Sequence, residues 1–152
     1  FTTSHNELRY MRNKYPEYNM LTNNLPRFIT KTLDLDNYTN KQMVGELGYF
    51  TSSWTGKDQP IELHSAKYTP MNYGGIVYSK TAIAFDYLMA YIGEETMDKC
   101  MHAYFKKWCF KHPQPKDLQA VFEEVSGQDL SWFFEDMIKT TKQFGMTKKI
   151  YL

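Results

Sequence analysis

The sequence predicts an all-α fold, on three observations. Residues 78–138 carry four apolar stripes at helical spacing. The first three stripes are each closed by glycine or proline, and the connections between them are short.

The elements follow in chain order. Residues 1–15, "FTTSHNELRYMRNKY", are polar but place Leu8, Met11 and Tyr15 at spacings of three and four, which predicts a helix bounded by Pro16. Residues 17–72 form the irregular part, with Pro26, Pro60, Pro70, Gly45, Gly48 and Gly56. Short helices are expected at 27–33 and 41–47, and "TGKDQP" at 55–60 has the composition of a turn. A long irregular stretch inside a domain is more often functional than idle.

The first clear stripe is Tyr78, Ala82, Phe85, Leu88, Met89 and Ile92, ended by Gly93. Met97, Cys100, Met101, Tyr104, Phe105 and Trp108 make the second, and "HPQP" breaks it. Leu118, Val121, Phe122 and Val125 make the third, stopped by Ser126-Gly127. Asp129 is the expected N-cap of the fourth, which carries Leu130, Phe133, Phe134, Met137 and Ile138. Short connections make successive helices roughly antiparallel neighbours.

Composition narrows the function classes. A chain of 152 residues is one ordinary domain, with 42% apolar and 23% charged residues. A net charge of +1 gives no electrostatic case for nucleic acid or an anionic membrane. No run of 18 apolar residues exists, so no membrane span is expected. The 12 Tyr, 10 Phe and 3 Trp point to a core of large side chains or an apolar cleft with polar tips. Cys100 and Cys109 lie nine apart, ~13 Å along a shared helix. That exceeds the roughly 7 Å between Cα atoms that a disulfide tolerates, so two buried thiols are expected.

Four histidines, His5, His64, His102 and His112, lack the i, i+4 spacing that lets two imidazoles share an ion, so no metal site is expected inside this chain. No GxSxG marks a serine nucleophile. "NYGGIVYSK", residues 72–80, is different. It reads as a tight turn at Gly74-Gly75 leading into a helix, with Tyr73 and Tyr78 at its mouth. A phenol ordinarily titrates near 10, so at neutral pH it keeps its proton and can donate a hydrogen bond to an oxyanion. Buried tyrosines capping a helix are common, so packing of the two rings is the alternative explanation of the pair.

The order Tyr-x4-Tyr-x-Lys, followed by "IGEETMDKCMHAYFKKWCFKHPQPKDLQAVFEEVSGQDLSWFFEDMI", resembles the gluzincin zinc aminopeptidases, typified by aminopeptidase N and leukotriene hydrolase. The likeness is dense over residues 73–141, includes the aromatic run Trp132-Phe133-Phe134, and in "FKHPQPKDL" is closest to bacterial members. It implies the helical C-terminal lobe of a thermolysin-like catalytic domain over residues 1–141, with 142–152 leading to the next domain. It also implies that Phe1-Thr2-Thr3 begins two residues after the glutamate zinc ligand, in a piece of a longer protein. The zinc, its HExxH ligands and the catalytic glutamate would then belong to polypeptide outside this chain, which alone would be inactive.

By the same resemblance, Tyr78 would stabilise the oxyanion of the tetrahedral intermediate, and Tyr73 would be a second active-site tyrosine in contact with substrate. Lys80 would be structural, and residues 46–68 would line the cleft. Thr81 stands where many members have glycine, and Pro70 where some have an acidic residue. The implied partners are a peptide substrate and the rest of the catalytic domain, with self-association of the isolated piece through apolar faces. A non-catalytic packing or peptide-binding module from a degenerate peptidase is the alternative. An exposed Tyr78 hydroxyl at a concave surface would favour catalysis, and a buried one bonded to backbone would favour packing.

Overall fold

The computed structural model describes residues 2–16, 25–32, 49 and 53–142. Among these residues every regular element is helical, as the stripes predict. Helix α1 is Thr2–Lys14 and α2 is Arg27–Thr32. A 3₁₀ turn at Ser65–Lys67 and a single helical turn at Pro70–Asn72 lead into a π-helix, Tyr73–Lys80. It runs without a break into α3, Thr81–Ile92. Helices α4, Glu94–Trp108, and α5, Pro115–Ser126, follow, and a second π-helix spans Trp132–Ile138. The helix expected at 41–47 and the tail beyond residue 142 lie outside the described residues.

The helix ends follow the local chemistry. Gly93 closes α3 with φ of 88°, a conformation costly for residues bearing a Cβ. Helix α4 starts on Glu94 and Glu95 and ends near Lys106 and Lys107, matching the helix dipole at both ends. Pro115 opens α5, where the Gln114 N–H donates to Asp117 Oδ2 at 2.7 Å in a capping box. Gly127 ends it in the left-handed region. Asp129 accepts the Ser131 N–H at 2.8 Å, and hydrogen bonds from the Ser131 side chain and backbone hold its carboxyl below the usual range.

The core is aromatic and centred on Phe85, which is fully buried. Its ring meets Phe122 at 6.4 Å and Phe133 at 5.5 Å, both edge to face, and Phe133 meets Phe134 at 5.1 Å. Ile76, Leu88, Met97, Leu118 and Leu130 complete the buried layer. Two stripe residues depart from their expected place: Phe105 and Tyr78 are both exposed. Of the two thiols, Cys100 is buried, but Cys109, one residue past the end of α4, is only half-buried.

Helix α1 packs on α3 through polar groups that periodicity does not reveal. His5 is fully buried, with Nδ1 2.8 Å from Asp86 Oδ1 and its ring 6.1 Å from that of Phe85. Arg12 also pairs with Asp86, and Arg9 bridges to Glu94 at 2.7 Å and to Asp98. Burial alone would push the Asp86 carboxyl up, but His5 and Arg12 together outweigh it and hold the group below the ordinary carboxylate range.

Candidate active site

Tyr73 and Tyr78 are five residues apart, which on an α-helix would put them about 140° apart around the axis. Here the chain between them is a π-helix, whose i→i+5 bonds close a wider turn and bring residues five apart toward one face. Their rings meet edge to face at 6.0 Å and 74°. Tyr68 extends the row, its ring 6.1 Å from that of Tyr73. The glycine pair plays a different part from the one expected. Gly74 and Gly75 lie inside the wide helix, neither has positive φ, and no tight turn forms there.

At the C-terminal end of the wide turn the Thr81 N–H is shared by the carbonyls of Ile76 and Tyr78. The Ile76 carbonyl accepts the Thr81 N–H and, at 3.1 Å, the Thr81 hydroxyl. Thr81 is fully buried, so its hydroxyl has this local partner in place of water. Thr81 therefore bonds across the wide turn through both its backbone and its side chain.

The three tyrosines differ in freedom. Tyr68 donates its hydroxyl to the carbonyls of Pro60 and Ile61, each at 2.7 Å, and burial pushes its phenol up. Tyr73 is 42% exposed and Tyr78 is 52% exposed. Neither hydroxyl has a hydrogen-bond partner among the described residues. The Tyr78 residue is thus not sealed in the core. A groove of ≈ 230 Å³ lies elsewhere, between the start of α1 and the end of α4, lined by Asn6, Tyr104, Phe105, Trp108 and Lys111 among others.

Behind the tyrosine row the helix is anchored by polar groups. Lys80 is fully buried, and its ammonium lies 2.8 Å from Asp58 Oδ2, with Asp58 itself 7% exposed. The same ammonium donates to the Gln59 carbonyl at 3.3 Å and sits 5.6 Å from the centroid of the buried Tyr49 ring. Burial first, and then the Asp58 charge, push the Tyr49 phenol up. The pair holds Lys80 inside, on the apolar side of its helix. Sequence reasoning missed its partner Asp58, which lies in the stretch read only as a turn. The available signal was a lysine four residues before Ala84 and eight before Leu88, on the apolar side of a helix.

Among the described residues no three His, Cys, Asp or Glu side chains converge on a point where they could hold a metal. His5 is turned to Asp86, while His64 is exposed and accepts the Ala66 N–H at 3.3 Å. These residues do not fit a zinc site. No helix among them is long and apolar enough to cross a membrane.

Comparison with known proteins supplies the wider frame. The Peptidase family M1 domain matches residues 5–137. Over 70 residues, 46% of the chain, it is 39% identical to "Aminopeptidase N" of Streptomyces lividans. Over 86 residues, 56% of the chain, it is 35% identical to "Aminopeptidase M1-C" of Oryza sativa subsp. japonica. Over 114 residues, 75% of the chain, it is 29% identical to "Aminopeptidase M1-D" of the same plant. These matches cover 8%, 9% and 11% of the relatives' own lengths. No solved structure matches the chain. The family match takes in α1, the tyrosine-bearing helix and the aromatic core together, and the chain belongs to peptidase family M1.

Proposed function

We propose that this chain is the helical lobe of an M1 aminopeptidase that removes N-terminal residues from peptides, and that Tyr78 is its oxyanion donor. The single observation that carries the reading is the state of Tyr78. The residue is 52% exposed, on a helix whose Ile76 and Lys80 are buried in the core.

The chemistry assigned to Tyr78 is limited and specific. When water attacks a peptide carbonyl, the carbonyl oxygen gains negative charge as the carbon becomes tetrahedral. The Tyr78 O–H donates a hydrogen bond to that oxygen and keeps its own proton throughout. A donor already held in place costs no reorganisation as charge develops, so the transition state gains more than the ground state. Tyr73 stands beside it as a substrate-contacting wall, its ring edge against Tyr78. The family's zinc would be held by polypeptide outside this chain, and activation of the water belongs with it.

The test of the reading is hydrolysis by the M1 polypeptide that carries this chain. Release of the first residue from peptides with a free amino end, and none from N-acetylated copies, is the expected result. Binding of peptides without any cleavage would replace this reading by the non-catalytic peptide-binding module.

A further inference from the structure

Residues 57–61 form a strap, of which 57–59 bond to the residues at both ends of the tyrosine-bearing π-helix. At the N-terminal end, the side-chain amide of Asn72, which is buried, donates to the Lys57 carbonyl at 2.6 Å and to Gln59 Oε1 at 2.9 Å. Gln59 Oε1 also accepts the Thr69 N–H at 3.3 Å, and its Nε2 donates to the Lys67 carbonyl at 3.0 Å. At the C-terminal end, buried Lys80 reaches Asp58 and the Gln59 carbonyl. One residue past the strap, the Glu62 N–H donates to the Ile138 carbonyl at 2.9 Å, fixing it to the second π-helix.

Asn72 and Lys80 bracket the π-helix, since one directly precedes Tyr73 and the other is its last residue. A wide helical turn is less favourable than a regular one and persists where its surroundings hold it. The strap grips both ends at a set separation, and Tyr73 and Tyr78 lie between the grips. We propose that the strap is a positioning element for the active site: Asp58–Lys80 and Asn72 hold the turn wide and so aim the Tyr78 hydroxyl. This inference rests on the reading of Tyr78 as the oxyanion donor. It adds Asp58, Asn72 and Lys80 as residues that act on the reaction only through Tyr78 and touch neither substrate nor the reacting atoms.

The test is a set of variants in the full M1 polypeptide, with kcat and KM read separately: Lys80→Met, Asp58→Asn, Tyr78→Phe and the double variant Tyr78→Phe/Lys80→Met. A misaimed donor should lower kcat on the order of tenfold or more for folded Lys80→Met, because displacement by an ångström can cost up to about a hundredfold. KM should stay within about twofold, since the lost interaction is made in the transition state. On the Tyr78→Phe background the same change should lower kcat by no more than about twofold, because the group being aimed is already gone.

Wild-type kcat in folded Lys80→Met and Asp58→Asn would overturn the proposal. So would an equal loss with and without the Tyr78 hydroxyl, which is the mark of general structural damage. Full activity of Tyr78→Phe would instead overturn the reading beneath it, so the two failures are distinguishable. If Lys80→Met does not fold, Asn72→Ala cuts the strap at its other end without stranding a buried charge. The same kcat loss, and the same disappearance of that loss in Tyr78→Phe, are then required of it.

Discussion

The Lys80 ammonium lies 2.8 Å from the Asp58 carboxylate, with the lysine side chain fully buried and the aspartate side chain 7% exposed. Two residues before Lys80 stands Tyr78, with half its surface in solvent. A sealed ion pair and an open phenol thus sit on one helical segment, and the stability of the first bears on the use of the second.

The pair should behave as a unit. Lys80→Met strands the Asp58 carboxylate, and Asp58→Asn strands the Lys80 ammonium, each with a cost of about 3–5 kcal/mol. The double variant Lys80→Met/Asp58→Asn strands no charge and should cost less than the sum of the two. Urea unfolding of the three variants measures this, and additive losses would show that the two groups are not coupled.

Thr81 makes a smaller contribution. Thr81→Val keeps the shape and removes the hydroxyl that bonds the Ile76 carbonyl at 3.1 Å. The backbone N–H of Thr81 still bonds that carbonyl, so a loss of about 1 kcal/mol is expected, visible in urea unfolding. An unchanged midpoint would remove the hydroxyl from the account of the wide turn.

Phe85 should be the costliest apolar position. Its ring is fully buried, meets Phe122 and Phe133, and faces His5 of α1. Phe85→Ala should cost about 3–5 kcal/mol through lost transfer energy and an unfilled cavity. Thermal unfolding checks it. A loss below about 1 kcal/mol would mean that neighbouring rings collapse into the space.

Asp86 sets a pH dependence. Its folded-state pKa lies below the ordinary value, so in acid the unfolded chain takes up the proton first. The stabilisation is therefore complete above an unfolded-state pKa of about 3.9 and is lost as pH falls through the lower folded-state value. Asp86→Asn should cost about 1–3 kcal/mol at pH 7 and flatten the acid limb of a stability–pH curve. Unfolding midpoints taken from pH 7 downward test both parts, and an acid limb as steep as wild type would assign it to other carboxylates.

How much of this was legible in the sequence depends on whether an interaction is local. The stops at Gly93, "HPQP" and Gly127 and the stripes through Phe85, Phe122 and Phe133 could be read directly, because helical period and end chemistry reside in neighbouring residues. Pairings across distance could not. Lys80 finds Asp58 22 residues back, and His5 finds Asp86 on another helix. Tyr78 was counted in the apolar stripe because regular helical spacing puts it there. The wide turn takes it out, and an i→i+5 turn has no apolar signature of its own. The same turn makes Tyr73 and Tyr78 neighbours, so the candidate site was found from residue types and family likeness, while its geometry waited for the backbone.

The measurement that bears most directly on the central claim is kcat for Tyr78→Phe in the M1 polypeptide, alongside its unfolding midpoint. The account predicts a fall on the order of 10² to 10³, the worth of one preorganised oxyanion donor, with the midpoint little changed because Tyr78 is half-exposed. Turnover at the wild-type rate would contradict it and leave Tyr78 as one more ring in an aromatic row.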